Sequence, residues 1–159
     1  ADASGRAALH IPPPQADGTV ETSASLEPDF KEEIERTIEV ATSTLDEAWA
    51  RHGEPAVTMV KVDVEGAEAR VLRGGRRLLT ACLPLVSVEV LGRLEHEPLE
   101  QLRRALGYVD VALAENRAAV RTSVEPVPGA PNHLLVPPSR LPAVLDELRG
   151  TLGLEVVEA

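Results

Sequence analysis

The stretch Val57–Gly75, VTMVKVDVEGAEARVLRGG, limits what this chain can fold into more than any other. It opens as an apolar run from Val57 to Val62 with Lys61 inside it, and turns acidic at Asp63 and Glu65. Gly66 follows, and a helical spacing starts at Ala67. A buried strand, an acidic tip, a glycine turn and a helix make the strand-to-helix half of an α/β unit. Ligands of open α/β sheets bind outside the carboxyl ends of the strands. Two carboxylates at such an end are the first functional candidates.

The rest of the chain extends that unit. Ala7–Ile11 reads as a short strand stopped by Pro12, Pro13 and Pro14, and Gln15–Pro28 as a loop. Asp29–Glu35 is a short helix or an irregular segment, and Arg36–Thr42 alternates as a strand. Thr44 and Glu47 have capping-box spacing, and Leu45, Ala48, Trp49 and His52 share a helix face that Gly53 ends. Gly74–Gly75 should bend or split the helix that follows Gly66. Leu85–Val90 is a second apolar strand with Glu89 near its carboxyl end. Pro98 suits the first turn of a helix closed by Gly107, in which Glu100 and Arg104 can pair. Tyr108–Ala114 and Asn132–Val136 read as strands, with Glu115–Gly129 a long polar connection between them. Leu141, Val144, Leu145 and Leu148 define a last helix ended by Gly150, and Thr151–Ala159 is an unplaced tail. The expected organisation is one α/β domain over residues 1–150. Its sheet should be mostly parallel and doubly wound, with antiparallel strands toward the C-terminal end.

Composition bounds the partners. The 159 residues carry a net charge of −10, which argues against nucleic acid and anionic membrane surfaces. No apolar run reaches the ~18 residues of a membrane helix. A single cysteine, Cys82, excludes an internal disulfide and a multi-cysteine zinc site, and points to a reducing, cytoplasmic compartment.

Lys61, Asp63 and Glu65 alternate, so they share one side if the strand runs on through Glu65. A charge in a central strand is normally paired or used. Lys61 pairing with Asp63 or Glu89, and Glu65 at the positive end of the next helix, would account for them structurally. For Asp63, at the strand tip, a ligand or catalytic role is favoured. Glu89 repeats the situation on the neighbouring strand. The two tips could bring carboxylates together as a general base or as a divalent-cation site, and the residues do not choose between these. Gly66 and Glu68 read as a turn glycine and a solvated first-turn carboxylate. His96 and His133 could reach the strand tips, while His10 and His52 read as strand and helix-face residues. There is no G-x-G-x-x-G, no G-x-S-x-G and no H-E-x-x-H.

VKVDVEGAEARVLRGG closely resembles the signature of the FkbM-type methyltransferases, (I/V)K(I/V)D(V/I)EGxE followed by VLxG. STLDEAW, PLVSVEV, LGY and PNHLLVPP resemble flanking family segments in order, so the resemblance runs from about Ala1 to Pro138. It implies a class I, Rossmann-like methyltransferase fold with S-adenosylmethionine as donor. It also implies O-methylation of a hydroxyl on a small molecule, a sugar or a polyketide. It places Asp63 and Glu65 at the edge of the donor and acceptor sites. Together with Glu89 from the strand-tip reading, these are the expected catalytic residues, and Asp63 is the expected donor-binding one. Val90 and Leu91 follow Glu89 where the family often has a histidine. The family's first strand, donor loop and ribose-binding acid precede the segment that resembles Ala1–Pro12. The resemblance therefore implies the C-terminal part of a methyltransferase, with weak or no donor binding by this chain alone. The strand from Val57 would then need a partner at its edge, either that N-terminal half or a second copy. A non-catalytic self-associating module and a divalent-metal-dependent α/β hydrolase are the alternatives.

Overall fold

A computed structural model describes residues 1–14, 23–92 and 96–158. The chain divides into two compact units, Ala1–Glu54 with Val64–Arg76, and Pro55–Asp63 with Arg77–Ala159. Of the expected Gln15–Pro28 loop, residues 15–22 lie outside the described ones.

The first unit contains an antiparallel pair, β1 (Gly5–Ile11) and β2 (Arg36–Thr42), in the register Gly5↔Thr42 to Ile11↔Arg36. Residues 26–35 form turns and bends rather than a helix. Helix α1 (Leu45–Arg51) starts as its spacing predicts, because the Thr44 hydroxyl accepts the Glu47 N–H at 3.0 Å. Trp49 is buried, but His52 is exposed at the helix end and does not belong to the apolar face. Helix α2 (Glu68–Arg73) stops at Gly74, and α3 (Arg76–Cys82) begins after Gly75. The two glycines serve close approach as well as breaking the helix. A Cβ on Gly74 would strike the Ala1 carbonyl, and one on Gly75 would lie 2.6 Å from Leu45 Cδ2.

The second unit is built on a six-stranded sheet. Its strands are β3 (Met59–Val62), β4 (Leu85–Glu89), β5 (Val109–Leu113), β6 (Arg117–Arg121), β7 (Asn132–Val136) and β8 (Glu155–Val157), in the order β3-β4-β7-β5-β6-β8. β3 and β4 pair in parallel, as two apolar strands joined by a helix should. The expectation of a mostly parallel sheet is corrected. β4–β7, β5–β7 and β5–β6 are all antiparallel, and among the described residues only β6–β8 is parallel besides β3–β4. The physical reasons are β7, which returns between β4 and β5 in the opposite direction, and the short hairpin that joins β5 to β6. β6 emerges from the stretch expected to be a polar connection, and β8 from the unplaced tail.

Helix α4 (Glu97–Leu106) carries Pro98 in its first turn and ends at Gly107, whose φ of 71° is the left-handed conformation glycine allows. A 3₁₀ turn (Pro138–Arg140) leads into α5 (Leu141–Gly150). Leu145 and Leu148 of α5 pack with Val111, Ala118, Leu134 and Val136 as the core on one sheet face. No described helix is long and apolar enough to cross a membrane.

β3 lies at the end of the sheet order, so its apolar run is not buried on both faces. Met59 is 54% exposed and only Val62 is buried. An apolar edge of this kind templates pairing with another strand. Met59→Lys should therefore lower any self-association of the chain while changing its unfolding midpoint little. Sedimentation velocity across a concentration series would check this, and an unchanged association constant would dismiss the β3 edge as the contact.

Candidate functional site

The register of β3 and β4 sets the geometry at their carboxyl ends. Lys61 lies opposite Ser87 and Val62 opposite Val88, so Asp63 follows on one strand as Glu89 follows on the other. Adjacent strands are about 4.8 Å apart, which puts the two acidic residues at the ends of neighbouring strands on one rim. Lys61 Nζ meets Asp63 Oδ2 at 2.6 Å, with side chains 65% and 52% exposed. At that exposure the pair contributes roughly 0–1 kcal/mol. Lys61 is tolerated because β3 is an edge strand and its ammonium stays in water. Glu89 is half-buried and sits opposite Asn132 of β7. Among the described residues its carboxylate has no hydrogen bond or ion pair.

Glu65 falls in the other compact unit, with Val64–Arg76. Its φ of 54° is unusual for a residue other than glycine, and Gly66 follows at 101°. The Ser25 hydroxyl donates to the Glu65 carbonyl at 2.6 Å. Glu68 is buried rather than solvated. Its Oε1 accepts the Gly66 N–H at 3.2 Å and the Val64 N–H at 3.4 Å, so its carboxylate holds the acidic turn in shape. The structure thus brings Asp63 and Glu89 onto adjacent strands, and assigns Glu65 to a backbone turn braced by Ser25 and Glu68.

One feature of this sheet is a buried pair the strand patterns do not announce. Val62, Val88, His133, Ala112 and Ala119 form one row across β3, β4, β7, β5 and β6. Asp110 lies diagonally from His133, and its carboxylate oxygens are 2.9 and 3.0 Å from His133 Nδ1. Both side chains are fully buried, and His133 Nε2 has no partner among the described residues. The visible signal was a lone polar residue at an inward position of each strand, VDVAL and NHLLV. His96, at the start of α4, titrates below its ordinary value, first through burial and then through the neighbouring His133, with Glu125 opposing. Its neutral imidazole is a proton acceptor over a wider pH range than a free histidine. Among the described residues no group of three or more His, Cys, Asp or Glu could hold a metal ion.

A second polar cluster fixes the loop after β6. Glu100 accepts from Arg103 at 2.7 and 2.8 Å, and from the Val124 N–H at 2.9 Å. Arg104 pairs with it at the expected i, i+4 spacing. Arg103 also donates to the carbonyls of Tyr108 and Thr122 at 2.6 and 3.0 Å. The Arg103 bonds pull the Glu100 pKa from 4.5 down to about 2 against the opposing effect of burial.

These two clusters give separate stability predictions. Asp110→Asn removes the charge facing a buried histidine and should cost about 3 kcal/mol in urea unfolding. A cost below about 1 kcal/mol would show that the pair is not closed in solution. Glu100 has a depressed folded pKa, so its contribution is complete above pH 4.5 and is lost as pH falls toward 2. The stability difference between the native chain and Glu100→Gln should be constant near neutral pH and shrink across that acid window. A difference independent of pH would refute the assignment.

The family model described as methyltransferase FkbM domain matches residues 2–110. No curated protein matches the chain. No solved structure matches it either. The matched segment covers well over half of the sequence and includes the β3 tip, the acidic turn and β4. The chain belongs to the FkbM methyltransferase domain family.

Proposed function

We propose that this methyltransferase domain serves S-adenosylmethionine-dependent O-methylation of a hydroxyl on a small molecule, a sugar or a polyketide. The observation that carries the reading is the placement of Asp63 and Glu89 at the carboxyl ends of adjacent parallel strands. The parallel β3–β4 pair, joined through α3 and followed by the antiparallel β7, supports a Rossmann-like methyltransferase sheet.

The rim presents the carboxylates of Asp63 and Glu89, with the Lys61 ammonium paired to Asp63, and carboxylates accept hydrogen bonds and attract cations. It suits a ligand that is cationic at sulfur and bears hydroxyl donors, and suits a phosphate-rich cofactor poorly. S-adenosylmethionine supplies, when bound, a methyl group activated by its positively charged sulfur. Asp63, exposed and turned toward Lys61, is the residue assigned to hold it. Glu89 is assigned to take the proton of the acceptor hydroxyl, since its half-buried carboxylate has no partner among the described residues to give up first. Removing that proton raises the nucleophilicity of the oxygen that receives the methyl group. Glu65 is the third carboxylate of the reading, and the brace from Ser25 and Glu68 fixes its backbone.

The test is transfer of a radiolabelled methyl group from S-adenosylmethionine to a panel of hydroxylated acceptors by the protein at its full natural length. Glu89→Gln should lower kcat roughly 100-fold or more with little change in donor affinity. Asp63→Asn should weaken donor binding measured by calorimetry. Native rates in both variants would defeat the assignment of these two carboxylates.

A further inference from the structure

The two faces of the β5–β6 hairpin are built from different residues. Toward α5 the strands present Val111, Leu113 and Val120, which join the core. On the other face the cross-strand pair is Ala112↔Ala119, with Ala114 beyond it. An alanine pair at such a position leaves the space a Val or Leu pair would fill. That space is a hollow of about 290 Å³, close to the lower end of the range for small-molecule pockets.

Its wall is fixed in advance. Val127 and Pro128 line the hollow beside Ala130, and the Ala130 N–H closes a tight turn on the Val127 carbonyl at 2.9 Å. Gly129 takes a φ of 77° there, open to glycine and strained for other residues. Upstream, the loop is tied down by the Val124 N–H on Glu100 and the Thr122 carbonyl on Arg103. A wall of this kind needs no ordering when a ligand enters.

The charge of the hollow runs against that of the chain. The protein carries −10, yet among the described residues the lining contains Arg117 and Arg121 and no carboxylate. The two arginines stand on the same face of β6, on either side of Ala119 and roughly 13 Å apart along the strand. Arg117 has no ion pair among the described residues. Among the described residues Arg121 pairs only with Glu125, at 4.0 Å, the outer limit of an ion pair. Guanidinium groups with donors to spare beside a methyl-lined depression match a carboxylate attached to a compact apolar body.

We infer that this hollow is a binding site for a small organic acid, a monocarboxylate with an aryl or branched aliphatic body. It is formed from Ala112 onward, beyond residues 2–110 of the family match, so the match does not assign it. The inference goes beyond the methyl-transfer reading and does not depend on it, because its test contains no methyl donor.

The experiment is a titration of the full chain, carbon-13 labelled at alanine methyls, with benzoate, benzamide and acetate. Benzoate should shift the methyls of Ala112, Ala114, Ala119 and Ala130 with a dissociation constant at or below about 1 mM. Benzamide, which keeps the ring and loses the charge, and acetate, which keeps the charge and loses the ring, should each bind at least about tenfold more weakly. Arg117→Gln and Arg121→Gln should each weaken benzoate several-fold, and the double variant should abolish the shifts. Equal binding of benzamide removes the anion recognition, and equal binding of acetate removes the apolar body. Shifts confined to other alanines, or none by about 10 mM, overturn the site. The alanine methyl spectrum reports the fold of each variant, and the native chain's preference among the three probes decides the question by itself if a variant unfolds.

Discussion

The return of β7 between β4 and β5 is the pairing on which the second unit depends. It bonds to β4 through Val86↔Leu135 to Glu89↔Asn132, and to β5 through Val109↔Val136 to Leu113↔Asn132. Without it, the β3–β4 pair and the β5–β6–β8 group would share no backbone hydrogen bonds within the sheet. From His133 to Val136 its residues are buried, so the strand is also the middle of the core. Its direction makes the sheet largely antiparallel. It also sets Asn132 beside Glu89 and His133 beside Val88, at the rim where the carboxylates stand.

Burial then decides what each charge does. Lys61 and Asp63 form a shorter contact than Asp110 and His133, yet the first pair lies in water on an edge strand and the second is sealed from it. In water a close ion pair contributes a fraction of a kcal/mol, whereas an uncompensated buried charge costs several. The exposed pair can exchange partners with a ligand at little cost. The buried pair cannot, and it fixes the relation between β5 and β7. Its Nε2 has no partner among the described residues, and burial together with this neighbouring histidine lowers the pKa of His96.

Local chemistry was legible in the sequence wherever a short-range rule had no competitor. The Thr44–Glu47 cap, the break at Gly74–Gly75, the Gly107 helix end and the apolar strands β4 and β7 follow from spacing and glycine placement alone. Long-range partnership was legible for the parallel β3–β4 pair and not for the strands that follow. RAAVR has arginines at both ends of a short alternation, and reads as polar linker until β5 and β8 are beside it. The apolar run before Asp63 reads as a doubly buried strand, although its position at the sheet edge leaves Met59 in water. Glu68 reads as a solvated first-turn acid, because nothing in its neighbours announces that its carboxylate folds back onto two backbone N–H groups. At the candidate site, Asp63 and Glu89 could be placed at strand tips from pattern alone. The Asp110–His133 pair needed the register of a strand returning from 19 residues beyond β5.

That pair also bears on how the family match should be understood physically. The match ends at Asp110, so it contains the carboxylate of the buried pair and stops short of the histidine. An aspartate inside an apolar strand is intolerable unless something pays its desolvation, and here His133 does so from β7. The strand order points the same way, since among the described residues β7 alone connects the matched β3–β4 rim to β5. The residues after 110 are therefore a condition for the carboxylate rim to exist in this geometry, because they supply both the pairing strand and the counter-group. Loosening β7 should disturb Glu89 through Asn132 and Asp110 through His133 at once, which couples the candidate methyl-transfer rim to the part of the sheet that carries the arginine-lined hollow.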